Sequence, residues 1–212
     1  MKKILKIMAS TLAIAAFAVT TISCGKDDDD EPNGEAIQNN AITIVVENGG
    51  GYGMNFVGSL AGCVVKLEVG SQTLAETLFG VNGFTLKLPA SVDASLLDEI
   101  GRGGILQGLT VSNPKVKMVT TWLRTYQSEE RVGEFYHGVG EWKGYAVYAD
   151  GNVNITGSFT DNAGKWTFNA QLKKGWNVLY EKMIEKENRN ENEYEAVTRV
   201  PEGASWRLDM RN

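Results

Sequence analysis

His137 is the single histidine of the sequence, and two carboxylates, Glu134 and Glu141, lie close to it. A carboxylate beside an imidazole can carry out general acid–base chemistry. In an extended strand, however, successive side chains face opposite sides, so a strand over residues 132–136 separates Glu134 from His137. The Gly-x-Ser-x-Gly pattern of esterases is also absent from the sequence. We therefore expect no catalytic residue, and we expect His137 at a strand end or on the surface.

Metal-binding patterns are missing as well. One His and two Cys exclude multi-histidine sites and zinc sites built from four thiolates. Asp150, Asn152 and Asn154 resemble the start of a calcium loop, but Ile155 and Asp161 stand where that loop needs glycine and glutamate. This segment is predicted to be a hairpin turn, and no metal or other cofactor is expected.

The aromatic residues give the clearest indication of function. The chain has five Trp and seven Tyr, enough to fill a β core, and the same side chains stack on sugar rings and anchor protein contacts. Most of them should be buried, whereas a row of two or three exposed rings would mark a surface that binds a glycan or a protein. The candidate ligand contacts are Trp122, Trp142, Trp166 and Trp176.

The elements that must position these residues are almost all β-strands. From residue 36 to residue 212 the sequence reads as about a dozen short β-prone segments separated by turn residues. Residues 91–100 are the one helical candidate, with Asp93 as its cap and at most about three turns. Strands without helical crossovers predict an antiparallel β-sandwich. We expect one domain over residues 36–212, with two smaller sandwiches divided near the Gly-rich residues 101–114 as the alternative.

Part of this region resembles a known family. Residues 42–46, the segment from Cys63 to Leu67 and residues 75–89 are similar to the prealbumin-like sandwiches of the transthyretin and carboxypeptidase-regulatory type. The resemblance covers less than about a quarter of the chain. It implies a binding, spacer or assembly module. Cys63 lies in an alternating strand and is predicted to be a small buried hydrophobe.

The N-terminus is predicted to be a secretion signal. Three lysines precede an apolar stretch that is shorter than the roughly 20 residues needed for a transmembrane helix. Residues 21–24, Thr-Ile-Ser-Cys, resemble the lipobox of bacterial lipoproteins. The resemblance implies removal of residues 1–23 and attachment of lipid, including palmitate, to Cys24, which would leave Cys63 without an intramolecular disulfide partner. An ordinary signal peptide is the alternative.

An acidic tether follows the cysteine. Residues 24–35 contain little to bury, so we expect an extended polar segment. They also resemble the export signal of surface-exposed lipoproteins of the Bacteroidota, which implies an outer-membrane location at the cell surface; a plain spacer with the domain facing the periplasm is the alternative. The residues that carry this resemblance are Lys26, Asp27, Asp28, Asp29, Asp30 and Glu31.

Three functions are compatible with these observations. The net charge of −5 and the lack of a basic cluster beyond the N-terminus argue against nucleic-acid binding. We expect a membrane-anchored, non-catalytic binding or scaffold module whose partner is a glycan or an envelope protein. The alternatives are a fimbrilin-like assembly component, favoured by a removable edge strand, and a small envelope hydrolase, favoured by a cleft with two carboxylates.

Overall fold

The computed structural model describes residues 5–7, 36–45, 60–100, 107–186 and 192–210. The described chain is built from β-strands, which confirms the predicted all-β, sandwich-like class. The strands are β1 (Leu5–Ile7), β2 (Ala41–Val45), β3 (Val64–Val69), β4 (Gln72–Leu78), β5 (Gly83–Lys87), β6 (Asp98–Glu99), β7 (Leu109–Val111), β8 (Lys117–Thr120), β9 (Trp122–Gln127), β10 (Glu130–Val139), β11 (Trp142–Ala149), β12 (Val153–Asp161), β13 (Gly164–Leu172), β14 (Gly175–Ile184), β15 (Glu193–Val197) and β16 (Ser205–Met210).

One large sheet contains most of these strands, in the order β4-β3-β9-β10-β11-β14-β15-β13-β12-β7. In addition, β16 pairs with β10 and with β1, and β8 pairs with β11 and β6. A separate antiparallel pair, β2 and β5, packs on one side of this sheet. The β3–β9 pairing joins residues on either side of the Gly-rich segment into a single sheet.

The helical candidate is shorter than the sequence predicts. A single 3₁₀ turn spans Ala94–Leu96, and the carboxylate of Asp93 accepts a hydrogen bond from the backbone N–H of Ser95 at 2.8 Å, as expected for a cap. The turn goes no further because Asp98 and Glu99 pair with β8 as strand β6.

A break at Thr121 separates strand β8 from strand β9. Before the break β8 pairs with β11, and after it β9 pairs with β10 and β3. Both the backbone N–H and the hydroxyl of Thr121 donate to the carbonyl oxygen of Ala146, at 2.9 and 2.8 Å. Residues 117–127 therefore form two strands with different partners.

The two faces of the large sheet carry different cores. We call the side that bears Phe135 and His137 the back face. The pair β2–β5 covers the back face, where Phe79, Phe84 and Phe135 form an aromatic triad with ring centroids 5.4–6.0 Å apart. We call this the first core.

The opposite side, the front face, bears a second core on β11, β12, β13 and β14. Cross-strand partners share a face, so the pairs Tyr145–Leu179 and Ile155–Ala170 belong to this side. The buried members of the second core are Val116, Val147, Ala149, Val153, Ile155, Ala170, Leu172, Leu179 and Ala196. Strands β11 and β14 are therefore buried on both faces, because other residues of these strands belong to the first core: Ala146, Tyr148, Trp176, Val178 and Tyr180.

One pairing departs from the predicted antiparallel sandwich. Strand β15 runs antiparallel to β14 but parallel to β13. The reason is that β15 inserts between β13 and β14, two strands that run in opposite directions along the chain.

Strand β1 lies within the predicted signal peptide. Its backbone pairs with β16, with Leu5 opposite Leu208 and Ile7 opposite Trp206. Removal of residues 1–23 would leave β16 paired with β10 alone among the described strands. Cys24, the acidic tether and residues 101–106 of the proposed boundary lie outside the described residues.

Candidate ligand-binding site

Four aromatic side chains form a row on the front face of β12, β13 and β15. Trp166 lies opposite Phe159 on one side and Tyr194 on the other, and Phe168 follows two residues later on the same face. The rings of Trp166 and Tyr194 stack at 4.2 Å with planes 10° apart. Phe159 and Phe168 lie 6.4 and 6.2 Å from Trp166 with nearly parallel planes. All four side chains are half-buried, so part of each remains at the surface.

The four tryptophans singled out from the sequence have different surroundings. Trp166 belongs to the aromatic row. Trp176 is 8 % exposed, packs edge-on against Tyr148, and donates its indole N–H to the carbonyl of Pro89 at 2.8 Å, so it is a core residue. Trp122 and Trp142 are half-buried. Trp122 lies under the guanidinium of Arg124 at 5.5 Å, and Trp142 lies under the ammonium of Lys182 at 5.9 Å. The structure does not bring either of them into the row.

A cavity of about 610 Å³ adjoins the aromatic row. Trp166 and Tyr194 form its aromatic wall, and Tyr145 and Glu181 contribute polar groups from the neighbouring strands. The remaining lining residues are Glu141, Lys143, Lys182, Met183, Ile184 and Glu185. Aromatic walls combined with a few polar groups are typical of sites for small organic ligands.

Glu181 is the most unusual polar residue of this cavity. Within the described part of the chain its carboxylate makes no hydrogen bond and no ion pair, although the side chain is largely covered. Burial raises the pKa of this carboxyl above its ordinary value. The pKa of Tyr145 is also raised, first by burial and then by the charge of Glu181. A titratable group that is desolvated and unpaired in a cavity is a candidate functional residue.

The indole N–H of Trp166 also lacks a partner among the described residues, and its nitrogen is enclosed. An enclosed donor without an acceptor costs about 1–3 kcal/mol. Trp166 therefore contributes its ring to the cavity wall, while its enclosed N–H has no acceptor among the described residues.

The two lysines that line the cavity are engaged elsewhere. The ammonium of Lys143 lies 3.5 Å from the carboxylate of Asp209 and 5.1 Å from the ring centre of Tyr136. The ammonium of Lys182 lies over Trp142. Neither cation is within ion-pair distance of Glu181, so the negative charge of Glu181 is not compensated by a direct contact.

A second cavity of about 410 Å³ shares Glu181 with the first. Its walls are mostly apolar and come from the second core, with Met118, Phe168 and Leu179 among them. Asp98 and Glu99 of β6 add two carboxylates at this cavity. The front face therefore changes from apolar to aromatic and polar along its length, with Glu181 at the boundary.

His137 does not take part in this site. It is 1 % exposed, and its Nδ1 is hydrogen-bonded to the hydroxyl of Tyr180 at 2.8 Å, with Trp206 packed edge-on at 5.4 Å. Burial lowers the pKa of His137 to about 4. The expected surface position is therefore wrong: β10 continues to residue 139, which places His137 inside a strand on the covered back face.

Glu134 lies on the other side of β10 from His137, as the alternation predicts, and belongs to a polar network. Arg124 bridges Glu134 at 3.5 Å and the nearly buried Glu68 at 3.2 Å. The hydroxyl of Tyr126 donates to the same Glu68 carboxylate at 2.7 Å. These groups satisfy one another and leave no unpaired carboxylate there. The network escaped sequence analysis because it joins residues of three strands that are distant in the chain.

Cys63 is buried, as the strand pattern predicts, and burial raises the pKa of its thiol. Among the described residues no group of three or more His, Cys, Asp or Glu side chains could hold a metal ion. The described residues also contain no helix long and apolar enough to cross a membrane.

Comparison with known proteins gives no match: no protein-family model, no curated protein and no solved structure is similar to this chain. The residues that sequence analysis missed are Glu181, Tyr145, Tyr194 and Phe159. Alternation within residues 165–172 indicates that Trp166 and Phe168 share a face, but the register that brings the neighbouring strands beside them has no local signal.

Proposed function

We propose that this chain is a lipoprotein of the outer membrane, held by lipid on Cys24 and displayed at the cell surface, whose folded part binds a glycan without catalysis. The lipobox-like residues and the acidic tether support the location. Two or more acyl chains hold a protein stably because each buried methylene contributes about 0.8 kcal/mol.

One observation supports glycan binding above the other functions: the aromatic row borders a cavity in which the carboxylate of Glu181 has no hydrogen-bond or ion-pair partner within the described part of the protein. A sugar presents an apolar ring face to aromatic side chains and several hydroxyls to donors and acceptors. Trp166 and Tyr194 supply the aromatic contact, while Glu181 and Tyr145 supply polar contacts in the same cavity.

The test is the affinity of the purified protein for hexasaccharides, measured by isothermal titration calorimetry. The titrants are cellohexaose, chitohexaose and hexaglucosamine. We expect at least one to bind, and we expect Trp166→Ala to weaken that binding about tenfold or more, since an aromatic contact contributes roughly 0.5–1.5 kcal/mol beyond its buried area.

The matched control is Trp122→Ala, which removes another half-buried indole, one outside the cavity. This variant should bind like the wild type. Equal losses in both variants would indicate general destabilisation, and unchanged binding by Trp166→Ala would refute the aromatic row as the site.

A second function, hydrolysis, is favoured by one observation: Glu181, with its raised pKa, shares a cavity with Glu141 and Glu185. A glycosidase needs a protonated acid and an ionised partner across a cleft. Release of reducing ends from the hexasaccharides, abolished by Glu181→Gln, would establish this function in place of simple binding. Binding of an envelope protein that is insensitive to Trp166→Ala would instead support a scaffold.

A further inference from the structure

We infer that the ligand of the front-face cavity carries a positively charged amine that contacts Glu181, so that the glycan proposed above is a hexosamine polymer with free rather than acetylated amines. This inference rests on the proposed function and adds the chemical class of the sugar.

The lining of the cavity is rich in carboxylates. Three carboxylates line it, those of Glu141, Glu181 and Glu185, while the two lysine ammonium groups are held by Asp209 and by the ring of Trp142. Glu141 and Glu185 are exposed, so water screens them. Glu181 is largely covered and unpaired, so a ligand that closed over it without a cation would bury an uncompensated charge.

A second feature is the position of Glu181 relative to the aromatic row. Glu181 lies opposite Ala196 on β15, and Tyr194 is two residues from Ala196 on the same face. Tyr194 in turn stacks on Trp166. A cation bound at Glu181 therefore lies beside electron-rich rings, which attract ammonium groups.

The surroundings of Glu181 do not suit an inorganic cation. Calcium takes six to eight oxygen ligands and magnesium demands a nearly ideal octahedron. In the described part of the chain no cluster of three or more ligating side chains includes Glu181. A single carboxylate beside aromatic rings fits an ammonium group on an organic ligand better than a metal ion.

The experiment compares four titrants at about pH 6, where an amine next to hydroxylated carbons retains its proton. Hexaglucosamine and chitohexaose differ only in acetylation, cellohexaose lacks nitrogen, and hexalysine carries amines without sugar. We expect hexaglucosamine to bind about tenfold or more tightly than the other three. Glu181→Gln should abolish this preference, so that hexaglucosamine binds no more tightly than cellohexaose and chitohexaose.

The matched control is Glu195→Gln. Glu195 lies opposite Lys182 on the adjoining strand, next to the Glu181–Ala196 pair in the register, so its side chain is on the other face of the sheet. The substitution therefore removes the same unit of charge as Glu181→Gln, but from the back face. This variant should keep the preference. If both variants lost the preference for hexaglucosamine, the cause would be a long-range effect of net charge, and the assignment of the amine contact to Glu181 would be wrong.

The remaining outcomes separate this inference from the proposed function. If hexaglucosamine and the neutral sugars bound with equal affinity, and Trp166→Ala lost this binding, the proposed amine contact would be wrong and the proposed glycan binding would stand. If hexalysine bound as tightly as hexaglucosamine, the site would recognise a cationic peptide, and the proposal of a sugar ligand would be wrong. Binding of none of the saccharides would overturn both proposals.

Discussion

Two largely buried titratable residues, His137 and Glu181, illustrate how partners decide the role of a side chain. His137 has a hydrogen-bond partner in Tyr180 and ring contacts with Tyr180 and Trp206, so its polar atom is used within the core. Glu181 has no comparable partner among the described residues and lines both cavities. The sequence drew attention to His137 because it is the single histidine, whereas Glu181 is one carboxylate among many.

The buried histidine makes the stability of the fold dependent on pH. His137 has a pKa of about 4 in the folded protein and an ordinary value of 6.5. Between these values the unfolded chain binds the proton and the folded chain does not, so stability falls as the pH falls from about 6.5 to about 4. The effect of this residue reaches at most about 3 kcal/mol.

Replacement of His137 by Asn tests this dependence, because Asn retains a polar atom near the position of Nδ1 and does not titrate. The free energy of unfolding, measured by urea denaturation across this pH range, should decline less steeply in the variant. The rise in stability that Glu181 contributes on acidification is present in both proteins and cancels in the comparison. Identical pH profiles would contradict the burial of an uncharged His137.

The strands themselves were largely predictable, but their pairing was not. Alternation within residues 165–172 indicates the shared face of Trp166 and Phe168. The Asp161 carboxylate accepts from the N–H groups of Ala163 and Gly164 in the turn between β12 and β13. The break at Thr121 and the insertion of β15 between β13 and β14 depend on contacts between distant segments. Because the cavity beside the aromatic row is formed across that insertion, sequence alone could identify Trp166 but not its neighbours.

The β2–β5 pair depends on a glycine at the first residue of β5. Gly83 has a φ of +104°, and a Cβ there would lie 1.9 Å from the carbonyl oxygen of Ile44. Gly83→Ala should therefore separate the two strands that cover the first core. We expect a loss of about 2–4 kcal/mol in the free energy of unfolding, since the backbone strain and the collision add.

Gly62→Ala is the matched control for this prediction. Gly62 also has a positive φ, +86°, but no atom lies within 4 Å of the point that a Cβ would occupy there. Only conformational strain acts at this position, so the free energy of unfolding should fall by about 1–2 kcal/mol. Urea denaturation of both variants separates the two contributions, and equal losses would mean that the contact with Ile44 yields without cost.

The whole molecule combines one long sheet with cores on opposite faces. The first core is closed by the β2–β5 pair, whereas the front face beyond β14 leaves the aromatic row at the surface. The side chains on the back face of β12 and β13 are polar and exposed, as at Thr156, Thr167 and Asn169. This asymmetry leaves partly exposed aromatic side chains beside a cavity on one face, a position that composition alone did not locate.

The location of the domain decides whether a glycan outside the cell can reach this face. The acidic residues Asp27–Asp30 and Glu31 follow the predicted lipid-bearing Cys24 after a spacing of two residues, where a surface-export signal is expected. We predict that proteinase K added to intact cells degrades the wild-type protein but spares a variant in which residues 26–31 are replaced by neutral residues. Immunoblotting with an antibody to the folded domain provides the measurement.

Permeabilised cells supply the control, because both proteins should then be exposed to the protease to the same extent. Protection of the wild type in intact cells would confine the domain to the periplasmic side and remove extracellular glycans as its ligands. Degradation of both proteins in intact cells would establish surface display but assign it to something other than the acidic run. Since replacing residues 26–31 leaves Cys24 and the described fold unaltered, a difference between the two proteins in intact cells reports on the side of the membrane rather than on anchoring or stability.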